Sequence, residues 1–302
     1  MLHSRNQRLL GILAVASAAT LWGTVGPVVQ QYPKDAAFPF AMVRNLIAVA
    51  ALWFMAQLQN QHSSYTRADL RGLIMGGVGT ACFMPFYTLG FQNSGVAIAA
   101  ILAVGSAPVF TGIIGRVAFG RVPARAWFFG TGVAVVGLVL LNAPSGDTHA
   151  NIAGLGFALA AGLAYGFQAT GMELLSARHS PVRSVAPIWT LATILQAPIA
   201  IGHDFTWLSE PKLFAGVVYG GVLTVALTFS MFTWGITRIG APTAVTVGLL
   251  EPITAASLGI LVLGETMTGL GYVGMVLVLC GLVVVSLPER TSPRSVLRAL
   301  RP

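Results

Sequence analysis

Ten runs of mostly apolar residues, joined by short connections, constrain this chain more than any other feature of its sequence. They cover 9–29, 38–58, 73–92, 96–118, 126–141, 152–174, 185–201, 213–236, 241–263 and 269–287. A helix that crosses the hydrocarbon core of a bilayer needs about 20 such residues. Only 9% of the 302 residues are charged, against roughly 25% in a soluble domain, so a water-facing surface cannot be assembled. The runs leave no stretch for a soluble domain. Cys82 and Cys280 both lie in apolar sequence, which excludes a disulfide framework and a CxxC metal site. Arg5 and Arg8 followed by apolar sequence and Ala16-Ser17-Ala18 imitate a signal peptide. The run continues to Val29, however, so an uncleaved first span is expected.

Charge sets the expected orientation. With the amino terminus inside and the spans alternating, 14 arginines fall on the inner side, from Arg5 and Arg8 to Arg298 and Arg301. The outer loops receive Lys34 and Lys212, and Arg44 stays within the membrane. Such a split is what the positive-inside rule asks of a protein in the cytoplasmic cell membrane with both termini in the cytoplasm. The net charge of +8 is thereby assigned to inner-leaflet lipid rather than to nucleic acid. The basic tail, 289–302, reads as a surface-lying segment or a frayed end.

The chain also repeats itself. Gly11–Gly23 and Gly154–Gly166 share a spacing of small and apolar residues at an offset of 143. Pro108, Gly115 and Gly120 recur as Pro252, Gly259 and Gly264 at an offset of 144, and Tyr87–Gly90 recurs as Phe232–Gly235 at 145. The repeat unit holds five spans, so the second unit, 147–288, enters the membrane opposite to the first, 1–146. The expected fold is therefore all-α: ten transmembrane helices in two inverted five-helix repeats around a central cavity, an arrangement typical of secondary transporters.

Leu21-Trp22-Gly23, Arg44 after Phe40-Ala41-Met42, Ala107-Pro108-Val109-Phe110, Leu250-Glu251-Pro252 and Leu263-Gly264-Glu265 resemble the EamA-type members of the drug/metabolite transporter superfamily. The resemblance runs from about Leu9 to Leu287 and implies alternating-access transport of a small molecule, with export of amino acids, amines or drugs among the family's activities. It also implies that spans five and ten stand apart from the cavity, as scaffold or as a homodimer contact. The aromatic amino acid exporters of the superfamily have an aromatic-rich fourth span. Ala103-Val104-Gly105-Ser106 stands there instead and argues against an aromatic substrate.

Two formal charges are expected well inside the spans, and each costs about 2.5–3.5 kcal/mol at a helix centre on insertion scales. Arg44 lies roughly 9 Å below the outer edge of its helix at 1.5 Å per residue. It is either a fixed charge for a substrate anion or a clamp on backbone carbonyls. Glu251, near mid-span, is either a proton-coupling site or a structural carboxyl beside Pro252. Trp22, Tyr87, Tyr165 and Gln168 lie deep enough to line a pocket with these two, or to pack between helices. Pro27, Pro108 and Pro252 are expected to kink their helices at the cavity, because each removes a backbone hydrogen bond. Trp53, Trp127 and Trp234 fall near inner span ends and read as interface anchors.

An enzyme needs acid, base or nucleophile groups gathered at a site. All five histidines fall in loops or tails, so no catalytic residue, metal or cofactor is expected. The expected function is a secondary transporter, most readily an exporter of amino acids or amines, with drug efflux as the alternative. A channel or non-transporting scaffold is the competing class. The orientation has a direct check. Cysteines replacing Asp147 and Asp204 should react with an impermeant reagent outside intact cells, and one replacing Arg121 should not. The opposite pattern would invert the whole topology.

Overall fold

The fold is given by a computed structural model that describes residues 2–29, 31–33, 36–59, 64–120, 122–142, 151–264 and 266–287. The basic tail, Lys34, Arg121, Asp147 and Glu265 lie outside the described residues, as does the side chain of Pro27.

The first half contains α1 (Leu2–Gly23), α2 (Val25–Val29), α3 (Ala37–Leu58), α4 (Leu70–Ser94), α5 (Val96–Phe119) and α6 (Arg125–Leu141). The second contains α7 (Ile152–Ser176), α8 (Pro181–Gln196), α9 (Pro211–Gly221), α10 (Thr228–Ile239), α11 (Ala241–Val247), α12 (Leu250–Leu263) and α13 (Gly269–Ser286). A π-helical turn, Val222–Leu227, joins α9 to α10. Among the described residues, 7 helical stretches are long and apolar enough to cross a membrane, and Arg125–Leu141 is a shorter apolar helix. The protein is therefore an all-helical, multi-pass membrane protein. Three apolar runs are each built from two pieces: α1 with α2, α9 with α10, and α11 with α12.

Proline explains two of these breaks. It lacks the N–H that would reach the carbonyl four residues back, and its ring crowds that carbonyl. The partner of Pro27 would be Gly23, where α1 ends and Thr24 N–H turns back to the Leu21 carbonyl at 3.2 Å. The partner of Pro252 would be Gly248, which lies between α11 and α12 and accepts the Glu251 N–H at 2.9 Å instead. Pro108 behaves differently: α5 runs through it without a break.

The two halves share two joints. Gly95 (φ 80°, ψ 156°) links α4 to α5, and Gly240 (φ 77°, ψ 153°) links α10 to α11. Gly120 (φ 65°) and Gly264 (φ 70°) end α5 and α12 in the left-handed conformation. Glycine occupies such positions without steric cost.

Packing relies on backbone contact. α4 and α7 lie together along their length, and a Cβ on Gly72 would sit 3.0 Å from the side chains of Leu174 and Leu175. α6 and α13 pair through Gly137 and Gly274, where an added Cβ would meet the facing carbonyl at 2.7 and 2.6 Å. In lipid, such close approach replaces the hydrophobic drive available in water. Toward the end that carries Arg8, Arg178 and Arg238, the bundle is filled by buried side chains, among them Leu52, Met172, Leu175, Ile188 and Ile236. That end is also tied by side chains. Asp69, 4% exposed, caps the turn before α4 through Thr66 and lies 3.1 Å from His179 Nε2 and 3.5 Å from Arg178 Nε. At the opposite end a smaller cluster of Phe40, Trp207, Leu213 and Val217 closes around Tyr32.

Trp127 departs from its expected place, since it is 6% exposed with its ring against Gly112. It is a packing residue of the α5–α6 contact, and Trp53 is held by a 3.0 Å bond to Thr190 Oγ1. The glycine contacts give a test. Gly171→Ala should lower the thermal stability of the solubilised protein by about 1–3 kcal/mol, because its Cβ would fall on the backbone of Gly76. Gly156→Ala, on the same helix but facing open space, should not.

Candidate functional site

A cavity of about 260 Å³ lies between the two halves. It is lined from the first by Trp22, Arg44, Asn45, Thr80, Phe83, Met84, Tyr87 and Val104. The second contributes Tyr165, Gln168, Trp189, Gln196, Thr224, Val225, Phe229 and Glu251. All six side chains expected from the sequence thus face one space. Neither α6 nor α13 contributes to it. Pro108 and Pro252 are not among the lining residues either. Instead the breaks at Gly23–Thr24 and Gly248–Leu249 bracket Trp22 and Glu251, and Val104, four residues before Pro108, reaches the wall.

Each wall has a structural cause. Trp22, in the last turn of α1, donates its indole N–H to Thr228 Oγ1 at 2.9 Å and to the Thr224 carbonyl at 3.1 Å. Thr224 lies in the π-helical turn, a local widening common at functional sites. The indole is therefore satisfied within the protein and presents its ring, which packs on Phe229 at 4.8 Å and Phe232 at 5.3 Å. Tyr87 stacks on Phe83 at 5.8 Å with an interplanar angle of 5°, and Phe83 leans on Tyr165 at 5.5 Å. Gln168 donates to Thr80 Oγ1 at 2.9 Å and joins α7 to α4 inside the cavity wall.

The two charges are held apart. The stem of Arg44 lies across Gly220, whose absent Cβ would sit 3.2 Å from Arg44 Cδ. The guanidinium carbon stands 5.8 Å from the centre of the Phe40 ring, and Arg44 Nε is buried without a hydrogen-bond partner. Glu251 occupies the first turn of α12, where the positive end of the helix dipole favours a carboxylate. No ion pair joins Arg44 to Glu251. The cavity is thus an apolar, aromatic chamber with one cationic and one anionic group contributed by different halves, a composition suited to a small charged organic molecule.

Several lining residues escaped the sequence reading. Asn45 and Gln196 are single amides in apolar runs, a signal as visible as Arg44 once uncharged polar groups are counted. Trp189 and Phe229 carry no such signal, because an aromatic in a membrane helix packs as readily as it binds. A second cavity, of about 250 Å³, opens near Arg8, Trp127, Glu173 and Pro242. Glu173 lies in the last turn of α7. Its Oε2 accepts the Ala241 N–H at 3.4 Å.

The link between Trp22 and the π-helical turn can be tested. Trp22→Phe keeps the ring and removes one buried donor, so it should cost about 1 kcal/mol of stability in an unfolding titration. Trp22→Ala empties a buried site and should cost about 3–5 kcal/mol. Equal losses would mean that the hydrogen bonds, and not the ring, hold this wall.

Comparison with known proteins places the arrangement. The profile of the EamA-like transporter family matches the chain twice, over residues 9–143 and 152–287. An uncharacterized transporter of Bacillus subtilis, YwfM, is 28% identical over 283 residues, covering 92% of this chain and 94% of that protein. An uncharacterized inner membrane transporter of Salmonella typhimurium, YicL, is 23% identical over 94% of this chain and 98% of its own. The threonine/homoserine exporter RhtA of Salmonella typhimurium is 30% identical over 156 residues, 51% of each chain. A crystal structure of a protein 18% identical superposes over 92% of this chain and 98% of that one with a TM-score of 0.75, which establishes a shared fold.

Proposed function

The chain belongs to the EamA-like transporter family and is a transporter rather than an enzyme, and from that premise we propose that it exports small metabolites, amino acids or amines, by alternating access. The observation that carries this reading is the aromatic cavity that both matched segments line, with Arg44 in one and Glu251 in the other. A small molecule bearing both a cationic and an anionic group finds a counter-charge on each side. The likeness of half the chain to a threonine/homoserine exporter supports the same class.

In the proposed arrangement ten spans form two inverted five-helix repeats in the cell membrane, and the arginine-rich end faces the cytoplasm. The cytoplasmic half is then closed by the packed core around Leu52, Met172 and Ile236. Parting of the two repeats would open it while the opposite end closes. α6 and α13, which line none of the cavity, would serve as scaffold or as a homodimer contact. The aromatic wall of Phe83, Tyr87, Trp189 and Phe229 favours a second reading, efflux of drug-like cations, because flat apolar compounds stack on such surfaces.

Glu251 is the proposed coupling residue. Among the described residues no ion pair is found for Glu251, and such a carboxyl can take a proton when the substrate leaves and release it when the next arrives. Glu251→Gln fixes a neutral group of nearly the same shape. In proteoliposomes offered labelled amino acids, amines and nucleosides, it should abolish accumulation driven by a pH gradient while preserving counterflow exchange. Accumulation by Glu251→Gln at the wild-type rate would mean that coupling lies elsewhere. Absence of any uptake by the wild type would favour a scaffold, and single-channel current would indicate a pore.

A further inference from the structure

A glycine brings Gln168 to its place in the cavity wall. A Cβ on Gly79 of α4 would meet the Ala164 carbonyl and the Gln168 backbone nitrogen of α7, both at 2.5 Å. The two helices therefore touch at this level, and the Gln168 side chain reaches Thr80. The contact has a direction. Thr80 gives its one hydroxyl hydrogen to the Gly76 carbonyl at 2.8 Å, so its Oγ1 is left to accept, and Gln168 Nε2 donates to it at 2.9 Å. The nitrogen end of the amide is thereby committed to α4. Among the described residues Oε1 has no bonded partner, and it is not one of the polar atoms sealed from contact. On a side chain that lines the central cavity, it is the end left open to that space.

Most other uncharged polar groups of the cavity are already spent. The Trp22 N–H, the Thr224 hydroxyl, the Asn45 nitrogen and both ends of the Gln196 amide are bonded within the protein. Asn45 Oδ1 is sealed off. The hydroxyls of Tyr87 and Tyr165 and the N–H of Trp189 are neither bonded to described residues nor sealed, and each of them can donate. Gln168 Oε1 is the open uncharged side-chain oxygen that can only accept. Arg44 and Glu251 answer the carboxylate and the amine that all amino acids carry, so they cannot distinguish one amino acid from another. We infer that Gln168 is a specificity-determining residue, whose Oε1 accepts a hydrogen bond from a hydroxyl on the side chain of the transported amino acid. Thr80 is the positioning residue that presents Oε1 to the cavity. A hydroxyl suits the place because it can give to Gln168 and receive from a tyrosine or the indole. A carboxamide nitrogen would bring two donors to one acceptor. The inference rests on the reading that the cavity holds an amino acid, and it leaves Arg44 and Glu251 the roles that reading gives them.

The test uses the full chain in lipid nanodiscs, with binding followed by tryptophan fluorescence, since Trp22 and Trp189 stand in the cavity wall. The probes are L-threonine beside L-valine and L-homoserine beside L-norvaline, pairs in which a methyl group replaces the hydroxyl. The wild type should bind each hydroxy amino acid about tenfold or more tightly than its counterpart, because a site built to hydrogen-bond a hydroxyl rejects the analogue that lacks it. Gln168→Leu should bring both ratios close to one by weakening the hydroxy members alone, a result that loss of fold cannot imitate. Thr80→Val keeps Oε1 but releases its orientation and should lower the ratios part of the way, whereas Thr80→Ser should retain them. If Gln168→Leu weakens all four compounds equally, the residue only shapes the cavity and the inference is overturned. Ratios unchanged in Gln168→Leu overturn it as well and leave Oε1 to water. Equal binding of all four by the wild type overturns this inference while the amino acid reading stands. If the wild type binds none of the four, that reading is itself wrong and this inference falls with it.

Discussion

A backbone carbonyl deprived of its helical donor cannot be left bare inside an apolar bundle, and the interior of this protein is organised around several of them. Unpaired polar groups cost several kcal/mol in hydrocarbon, so each proline within a helix creates a demand that some other group must meet. Gln196 meets it at Ala81 below Pro85. At an exposed end of the bundle the Tyr65 hydroxyl meets it at Arg183, 2.8 Å away, below Pro187. In both cases the donor belongs to the half of the chain that does not contain the proline. The prolines thus weaken two helices locally and tie the two halves together at the same points. At Pro252 the chain meets the demand itself, by ending one helix and starting another, and Glu251 is left on the first turn of the new one.

The glycines work against the same background. Apolar side chains gain little by leaving lipid for a protein interior that is equally apolar, so association comes from close packing of backbone. α4 on α7 and α6 on α13 are held in this way. The two contacts serve different ends. The first builds one wall of the cavity through Thr80, Tyr87, Tyr165 and Gln168. The second stands outside it. Trp22 adds a third connection, from the first half to the π-helical turn of the second, and gives that irregular turn a reason to persist.

Much of this was legible in the residues alone. Among the described residues the α-helices coincide with the apolar runs, and Gly120 and Gly264, paired at an offset of 144, both adopt the left-handed conformation, while the matching joints at Gly95 and Gly240 appear only in the structure. Trp22, Arg44, Tyr87, Tyr165, Gln168 and Glu251 were distinguishable because polar or amphipathic groups are expensive in lipid and must turn inward. The prolines were read less well. Kinks were expected at Pro27, Pro108 and Pro252; the helix breaks fall one turn before Pro27 and Pro252, beside Trp22 and Glu251, while α5 runs through Pro108. Pro85 and Pro187 were overlooked, since a proline inside a membrane helix has no meaning until the group that answers its orphaned carbonyl is known.

That division has a physical basis. Solvent preference is a property of single residues and short segments, so the sequence determined that the chain crosses lipid and which side chains cannot face the hydrocarbon, but not where three of its runs break into two helices. The partner of a freed carbonyl lies on another helix, in this case 115 residues away in sequence. How the Gln196 and Asn45 amides are turned depends on that partner and on the partner's partner. Only the tertiary structure could decide that Arg44 and Glu251, contributed by different halves of the chain, line one cavity without forming an ion pair with each other.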